Sequence, residues 1–479
     1  MTRQLWFVEL GRLLRSPYVW GAVAVTLALL VWGHRNRMPN LAEAAVNAAT
    51  ATFVIAAVVM VVANLATLRD QRHGMPETLA ALPGQAEVRT RAVLLAAGCL
   101  SAVLAAGVIG GFLLVRLTQG PVAGQVDVPE ALGAVVAVAL LVAFGVALGR
   151  WAPSLVATPA VLVVLGLGLS AGPLFLLVWY VPIAAPYEMQ VYERPSGPRL
   201  AYLIGALALL AALALLRHGR RPVRLGVAAG GLAVALPAVV IVAMAAPSLT
   251  GTVVSDGERP AGDPELECTD RNAITYCHLP GFEPWVHLWA EAADPVVEAL
   301  PPEGRDHLPT IEQWSERGPR PVDMRPGVVV VGLTWGRGDA EVDSRSWLAG
   351  AIAALVTGTA DPTRTYQEYG APWCDASGQA RTVVALWLAG QAAPLQPATT
   401  TDAWGPVRAE SYLGDVWYGA RELGYAAALL DRDDARELVR ERWGVLVDPA
   451  TTVEQMAVLL GLPEVPAAAA AEPQGTRCG

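Results

Sequence analysis

The sequence predicts an α-helical polytopic membrane protein that carries a C-terminal extracytoplasmic domain of α+β or mainly α type. Three observations predict it. The chain of 479 residues is 54% hydrophobic and only 16% charged. Its first half holds a series of long apolar stretches, and its charge divides sharply between the halves. Residues 1–246 carry 17 Arg against 9 Asp and Glu, whereas residues 247–479 carry 17 Arg against 34 acids, giving net charges of +8 and −17. All 34 basic residues are arginine, and lysine is absent.

The first element is "LWFVELGRLLRSPYVW". It sets Trp6, Phe7, Leu10, Leu13 and Leu14 against Arg12 and Arg15 and halts at Ser16-Pro17, the pattern of a helix lying in the membrane interface. The plainer alternative is a positively charged lead-in to a membrane helix.

A helix crossing a hydrocarbon core of about 30 Å needs about 20 mostly apolar residues. Seven stretches qualify or nearly do: 17–33, 49–67, 92–116, 130–149, 155–180, 200–216 and 225–246. The first is also short enough for a signal sequence with an Ala-rich cleavage region near 42–44, but six further spans follow it. The fifth contains Gly166, Gly168, Gly172 and Pro173, which argues against one straight helix. A span to about Ala171 followed by a half-inserted "PLFLLVWYVPIAAP" fits better.

Arginine placement orients the spans. With the N-terminus cytoplasmic, twelve arginines fall in inside segments and four or five outside, Arg116 lying at a border. Seven spans then put residues 247–479 outside. Cys268, Cys277, Cys374 and Cys478 all fall there, whereas Cys99 lies within the third span. Four cysteines in an oxidising compartment suit two disulfides with three possible connectivities. The pair closing "CTDRNAITYC" is the first choice; Cys374 and Cys478 remain, with the tail position of Cys478 leaving a free thiol open.

Residues 68–93, "LRDQRHGMPETLAALPGQAEVRTRAV", interrupt the apolar run with charge. Gly74 turns the chain, Pro76 suits a first helical position, and Glu77 favours the positive end of the helix dipole. Leu79 and Leu82 share one face, and Pro83-Gly84 stops the element. The expectation is a cytoplasmic helix of about two turns with one apolar side, shaped for a soluble partner.

Together "VELGRLLRSPYVW" at 8–20 and "RDQRHGMPETLAALPGQAEVRTRAVLLAA" at 69–97 resemble the type-2 ABC transporter permease family, particularly its high-GC actinobacterial members. The resemblance covers about residues 1–220. It implies an elbow helix over 1–16, a six-span permease domain over 17–224, and re-entrant half-helices between spans five and six. It also implies a coupling helix at 75–83, with Arg69, Asp70, Gly74, Met75, Pro76, Glu77, Thr78, Leu79, Leu82 and Pro83 meeting an ABC ATPase subunit. In the family that subunit dimerises on binding ATP and drives two six-span units, so a second permease chain, the same or similar, is expected. Two departures stand out: Met75-Pro76-Glu77-Thr78 replaces the usual Gly-Thr pair, and a seventh span (225–246) and a 233-residue exterior domain are additions.

Several chemistries are excluded or disfavoured. A Walker A loop needs a lysine for the terminal phosphates, so this chain cannot have one. ATP and Mg are expected on the partner, no cofactor on this chain, and no nucleic-acid partner. "GLSAG" at 168–172 matches G-x-S-x-G, but no histidine lies within a span to serve it, and small residues at this spacing suit close helix packing. The exterior half lacks H-E-x-x-H, and His278, His287 and His307 are spaced nine and twenty apart, which suits no helical zinc pair. A domain descended from a zinc peptidase would be degenerate here, left with binding or assembly.

The exterior half begins after a linker at 247–267. Helices are expected at 284–300, 344–357, 377–391, 407–442 and 451–461, the last with a Thr451/Glu454 capping box, and a buried strand within 327–335. The domain is expected over 268–462, with ten Trp as core and interface anchors and a flexible tail at 463–479. The reading that competes with an exporter subunit is a membrane sensor or scaffold whose exterior domain binds a ligand.

Overall fold

The computed structural model describes residues 2–72, 85–170, 195–245, 266–313, 327–359, 374–395, 401–402, 405–406, 413, 416–465 and 476–478. The chain divides into two compact units. The first comprises Met1–Arg35, Pro39–Gly120 and Gln125–Gly251, and the second Asn36–Met38, Pro121–Gly124 and Thr252–Gly479.

The first unit is helical. Helix α1 (Thr2–Leu14) ends where Ser16 turns extended, and Pro17 opens α2 (Pro17–His34) at a position where its missing N–H costs nothing. Trp6 and Leu10 of α1 pack on the core, while Phe7 and Leu14 are exposed. Helix α2 buries Val19, Ala22, Thr26 and Leu30 along one face and exposes Val25, Leu29 and Trp32. Asn40 caps α3 (Leu41–Ala51) by accepting from the Ala42 and Glu43 N–H groups. A break at Thr52 separates α3 from α4 (Phe53–Arg72). The second segment long and apolar enough to cross a membrane therefore runs over Leu41–Arg69, starting eight residues before the expected 49.

Helix α5 (Gln85–Arg116) leads to α6 (Val128–Trp151), the most buried of the membrane-length helices. Close approach explains the glycines on α6: a Cβ at Gly145 would lie 2.7 Å from the Met60 carbonyl oxygen of α4. Helix α7 (Ala157–Ser170) is followed by α8 (Ser196–Leu216) and α9 (Pro222–Ala245). Gly205 and Gly231 let α8 and α9 approach in the same way, since a Cβ on either would come within 2.7 Å of the other's carbonyl oxygen.

Among the described residues six helices are long and apolar enough to cross a membrane: Pro17–His34, Leu41–Arg69, Ala86–Arg116, Val128–Trp151, Ser196–Leu216 and Pro222–Met244. The expected fifth stretch is represented by α7, of 14 residues, and residues 171–194 lie outside the described ones. Directions within the bundle are set by contacts at its two ends. Glu130 meets Arg199 at the start of α6 and α8, and the Trp151 indole N–H donates to the Leu213 carbonyl near their ends. The two helices therefore run parallel, so the chain leaves α6 at one end of the bundle and enters α8 at the other.

The second unit is mixed. Strands β1 (Glu267–Arg271) and β2 (Ile274–His278) form a hairpin, with Asn272 and Ala273 at positive φ in its turn. A four-stranded sheet of order β1-β2-β3-β4 continues in parallel through β3 (Thr310–Gln313) and β4 (Val328–Val331). Helices α10 (Val286–Ala299), α11 (Asp339–Val356) and α12 (Ala380–Ala389) build the core. All ten residues of α12 are buried; it is apolar apart from Arg381 and Thr382, whose polar groups are hydrogen-bonded within the fold.

A second sheet places β5 (Cys374–Asp375) between β6 (Val416–Trp417) and β7 (Thr476–Arg477), parallel to both. Helices α13 (Ala420–Leu430), α14 (Ala435–Glu441) and α15 (Val453–Leu460) complete the unit. Three expectations change here. The helix foreseen over 407–442 is a strand and two separate helices, among the residues described there. The capping box of α15 is Thr452 with Gln455, one residue later than expected. Residues 476–478 of the expected flexible tail form β7 and its continuation, with Cys478 buried.

Candidate functional site

The expected coupling region begins at the last turns of α4. The Arg69 guanidinium donates to the Glu9 carboxylate of α1 at 3.1 Å, and Glu9 also takes Arg12 at 3.0 Å. This contact ties α1 to the last turns of α4, across sixty residues of sequence. Asp70 belongs to α4, but its side chain lies outside the described residues, as do Gly74, Met75, Pro76, Glu77, Thr78, Leu79, Leu82 and Pro83.

At the same end of the bundle, Glu87 of α5 forms ion pairs with Arg224 of α9 and with Arg91 at 2.5 Å each, with Arg221 at 3.9 Å. Beside it the His218 ring Nε2 pairs with the Thr90 hydroxyl at 2.9 Å. His218 lies between α8 and α9, and its pKa is held below the usual 6.5 first by burial and then by the Arg150 guanidinium. The opposite end holds two buried polar groupings. One is the Glu130 and Arg199 pair at 2.7 Å. The other is a chain in which the His34 ring pairs with Asn47, and Asn47 donates to Glu43 at 3.3 Å. Between the ends, Asn64 of α4 bonds the Thr158 hydroxyl of α7. Glu130 and Arg199 sit at the edges of the apolar runs 130–149 and 200–216, where nothing in the sequence marks them as a buried pair.

The second unit yields no catalytic grouping among its described residues. His278 is buried and its Nδ1 meets the Leu279 carbonyl at 3.0 Å, while His287 meets the Pro284 carbonyl at 2.6 Å. Among the described residues no group of three or more His, Cys, Asp and Glu is placed to hold a metal. Trp285, Trp289 and Trp387 are fully buried core residues. Ser170 of the G-x-S-x-G match lies at the end of α7, its side chain outside the described residues.

Cysteine placement is informative. Cys268 and Cys277 are joined across the β1–β2 ladder. Cys478 is also disulfide-bonded, and its backbone follows β7, which pairs with Cys374 and Asp375 of β5; the Cys374 side chain is outside the described residues. Arg381 and Gln379 both donate to the Cys478 carbonyl, at 3.1 and 3.2 Å, holding this end of the chain in the fold. Cys99 is free. Comparison with known proteins finds no matching family model, no matching curated protein and no matching solved structure, so the chain stands on its own geometry.

Proposed function

We propose that the chain is the permease subunit of an ATP-driven ABC exporter in the cell membrane, with its N-terminus cytoplasmic and residues 247–479 outside. The observation that carries this reading is the placement of α1 against the end of α4. An amphipathic helix is held by Glu9 and Arg69 beside the entrance to the polar loop, where the resemblance calls for an elbow helix next to a coupling helix. A chain without lysine cannot form its own Walker A loop, so ATP and Mg belong to a separate ATPase subunit. A second permease chain completes the pathway.

Helix direction supports the orientation. The parallel run of α6 and α8 requires one traverse between them in addition to the six long helices, which brings α9 out at the end opposite α1. The arginine bias assigns the α1 end to the cytoplasm, and the Cys268–Cys277 disulfide suits an oxidising exterior. The second reading, a sensor or scaffold, draws on the size of the second unit, which has its own core and three sheets among its described residues.

Co-expression with an ATPase encoded beside this chain, followed by purification and reconstitution in liposomes, tests the proposal. The expected result is a stable complex whose ATP hydrolysis depends on the permease. An ATPase that neither copurifies nor responds to the chain would overturn transport and leave the sensor reading.

A further inference from the structure

The turn between α8 and α9 reads "RHGRR" over residues 217–221. It joins two membrane-length helices with five residues, so its side chains cannot project far from the bilayer surface. Arg91 and Arg224 reach the Glu87 carboxylate from α5 and α9, and Arg221 lies 3.9 Å from it. The Arg217 guanidinium lies 5.9 Å from the Trp151 ring centre, and the Arg150 charge acts on His218. Arg91, Arg221 and Arg224 thus meet one acid, Glu87, while Arg150 and Arg217 act on His218 beside it. The first turns of α5 and α9 meet here beside the last turn of α8, whose Leu215 carbonyl accepts from Arg224.

Apolar side chains surround this charge. Val223 is 75% exposed and Trp151 56%, with Leu225 also exposed, while the Arg221 side chain is 68% exposed and Arg220 is exposed too. Glu87 is already engaged by Arg224 and Arg91, which leaves the turn itself with a surplus of positive charge. Exposed arginines directly above exposed apolar residues match the boundary between headgroups and acyl chains.

We propose that this turn is a binding site for an anionic phospholipid, with the phosphate held by Arg220 and Arg221 and an acyl chain lying along Val223 and Val227, both exposed and one turn apart on α9. A soluble partner fits less well, because a five-residue turn flanked by lipid-facing apolar side chains offers it little surface. The inference needs the membrane setting and does not depend on the transport reading.

The test uses the full chain in mixed micelles of neutral detergent and phosphatidylcholine, with thermal unfolding followed as phosphatidylglycerol is titrated in. Phosphatidylglycerol should raise the unfolding midpoint. The variant Arg220→Gln with Arg221→Gln should need on the order of 25-fold more of it for the same rise, about fivefold per arginine. Arg220→Lys with Arg221→Lys should keep most of the response, which separates loss of charge from loss of folding. The proposal is overturned by an equal response to phosphatidylcholine or by an unchanged response in the glutamine variant. It is also overturned by the same loss in Arg3→Gln with Arg15→Gln. Inorganic phosphate that reproduces the rise without the lipid would make the ligand a free anion. A parent that ignores the lipid and responds only to the ATPase would make the turn a protein contact.

Discussion

Glu130, in the first turn of α6, accepts a hydrogen bond from Arg199, in the first turn of α8, at 2.7 Å, with both side chains buried. Removing one partner of such a pair leaves a charge in a low-dielectric interior, a change that costs about 3–5 kcal/mol. Glu130→Ala should therefore destabilise the detergent-solubilised chain strongly. Glu130→Leu combined with Arg199→Met should recover most of the loss, because the pair's own desolvation penalty disappears with it. Thermal midpoints of the three chains decide; a double variant no better than the single one would show that the pair is favourable in itself.

The proposed orientation, argued from helix direction and arginine placement, expects residues 247–479 outside. Protease added to whole cells with the wall removed should digest the exterior domain while leaving the α1 end intact. Protection of the C-terminal epitope until the membrane is broken would reverse the assignment.

Non-reducing peptide mapping should recover Cys268 linked to Cys277 and Cys478 linked to Cys374. Replacing both Cys268 and Cys277 by Ala should lower the stability of the second unit by about 2–4 kcal/mol, the usual effect of opening a short loop. Free thiols at 268 and 277 in protein from the cell surface would contradict an oxidising location.

His218 gives a pH dependence with a definite sign. Its folded pKa is held below the usual 6.5, so the unfolded chain binds a proton that the folded chain resists. The stabilisation is complete above about 6.5 and is lost as pH falls from there toward the lowered folded value. His218→Gln should flatten that part of the profile, measured as unfolding midpoint against pH; an identical slope in parent and variant would assign the effect to another group.

Leu79 and Leu82, if buried in an ATPase partner, each contribute about 1.5–3 kcal/mol. Leu79→Asp with Leu82→Asp should leave membrane insertion intact and abolish copurification with the ATPase. Normal ATPase binding and stimulation by the double variant would remove the coupling assignment while leaving the topology untouched.

Much of the membrane half was legible because apolar runs of membrane length have few other uses. Helix α3 was missed at its start because Glu43 and Asn47 look like loop residues. Asn47 in fact finds partners in His34 and Glu43 within the bundle, and Asn40 and Glu43 already carried a helix-start signal. The β1–β2 hairpin was read only as a loop closed by cysteines, since its turn uses Asn272-Ala273 in place of the more telling Asn-Gly. Glu9 and Arg69 are sixty residues apart, and nothing local in the sequence pairs them.

The placement of β7 bears on the order in which the second unit assembles. Its partner β5 lies about a hundred residues earlier, whereas α10, α11 and α12 are local structures. Contacts of such long separation form late, because loop closure must precede any gain from them. The helical core should therefore form before the small sheet, and the grip of Arg381 and Gln379 on Cys478 becomes a late closing step. During that interval the edge of β5 is open to other chains, which makes refolding yield sensitive to protein concentration.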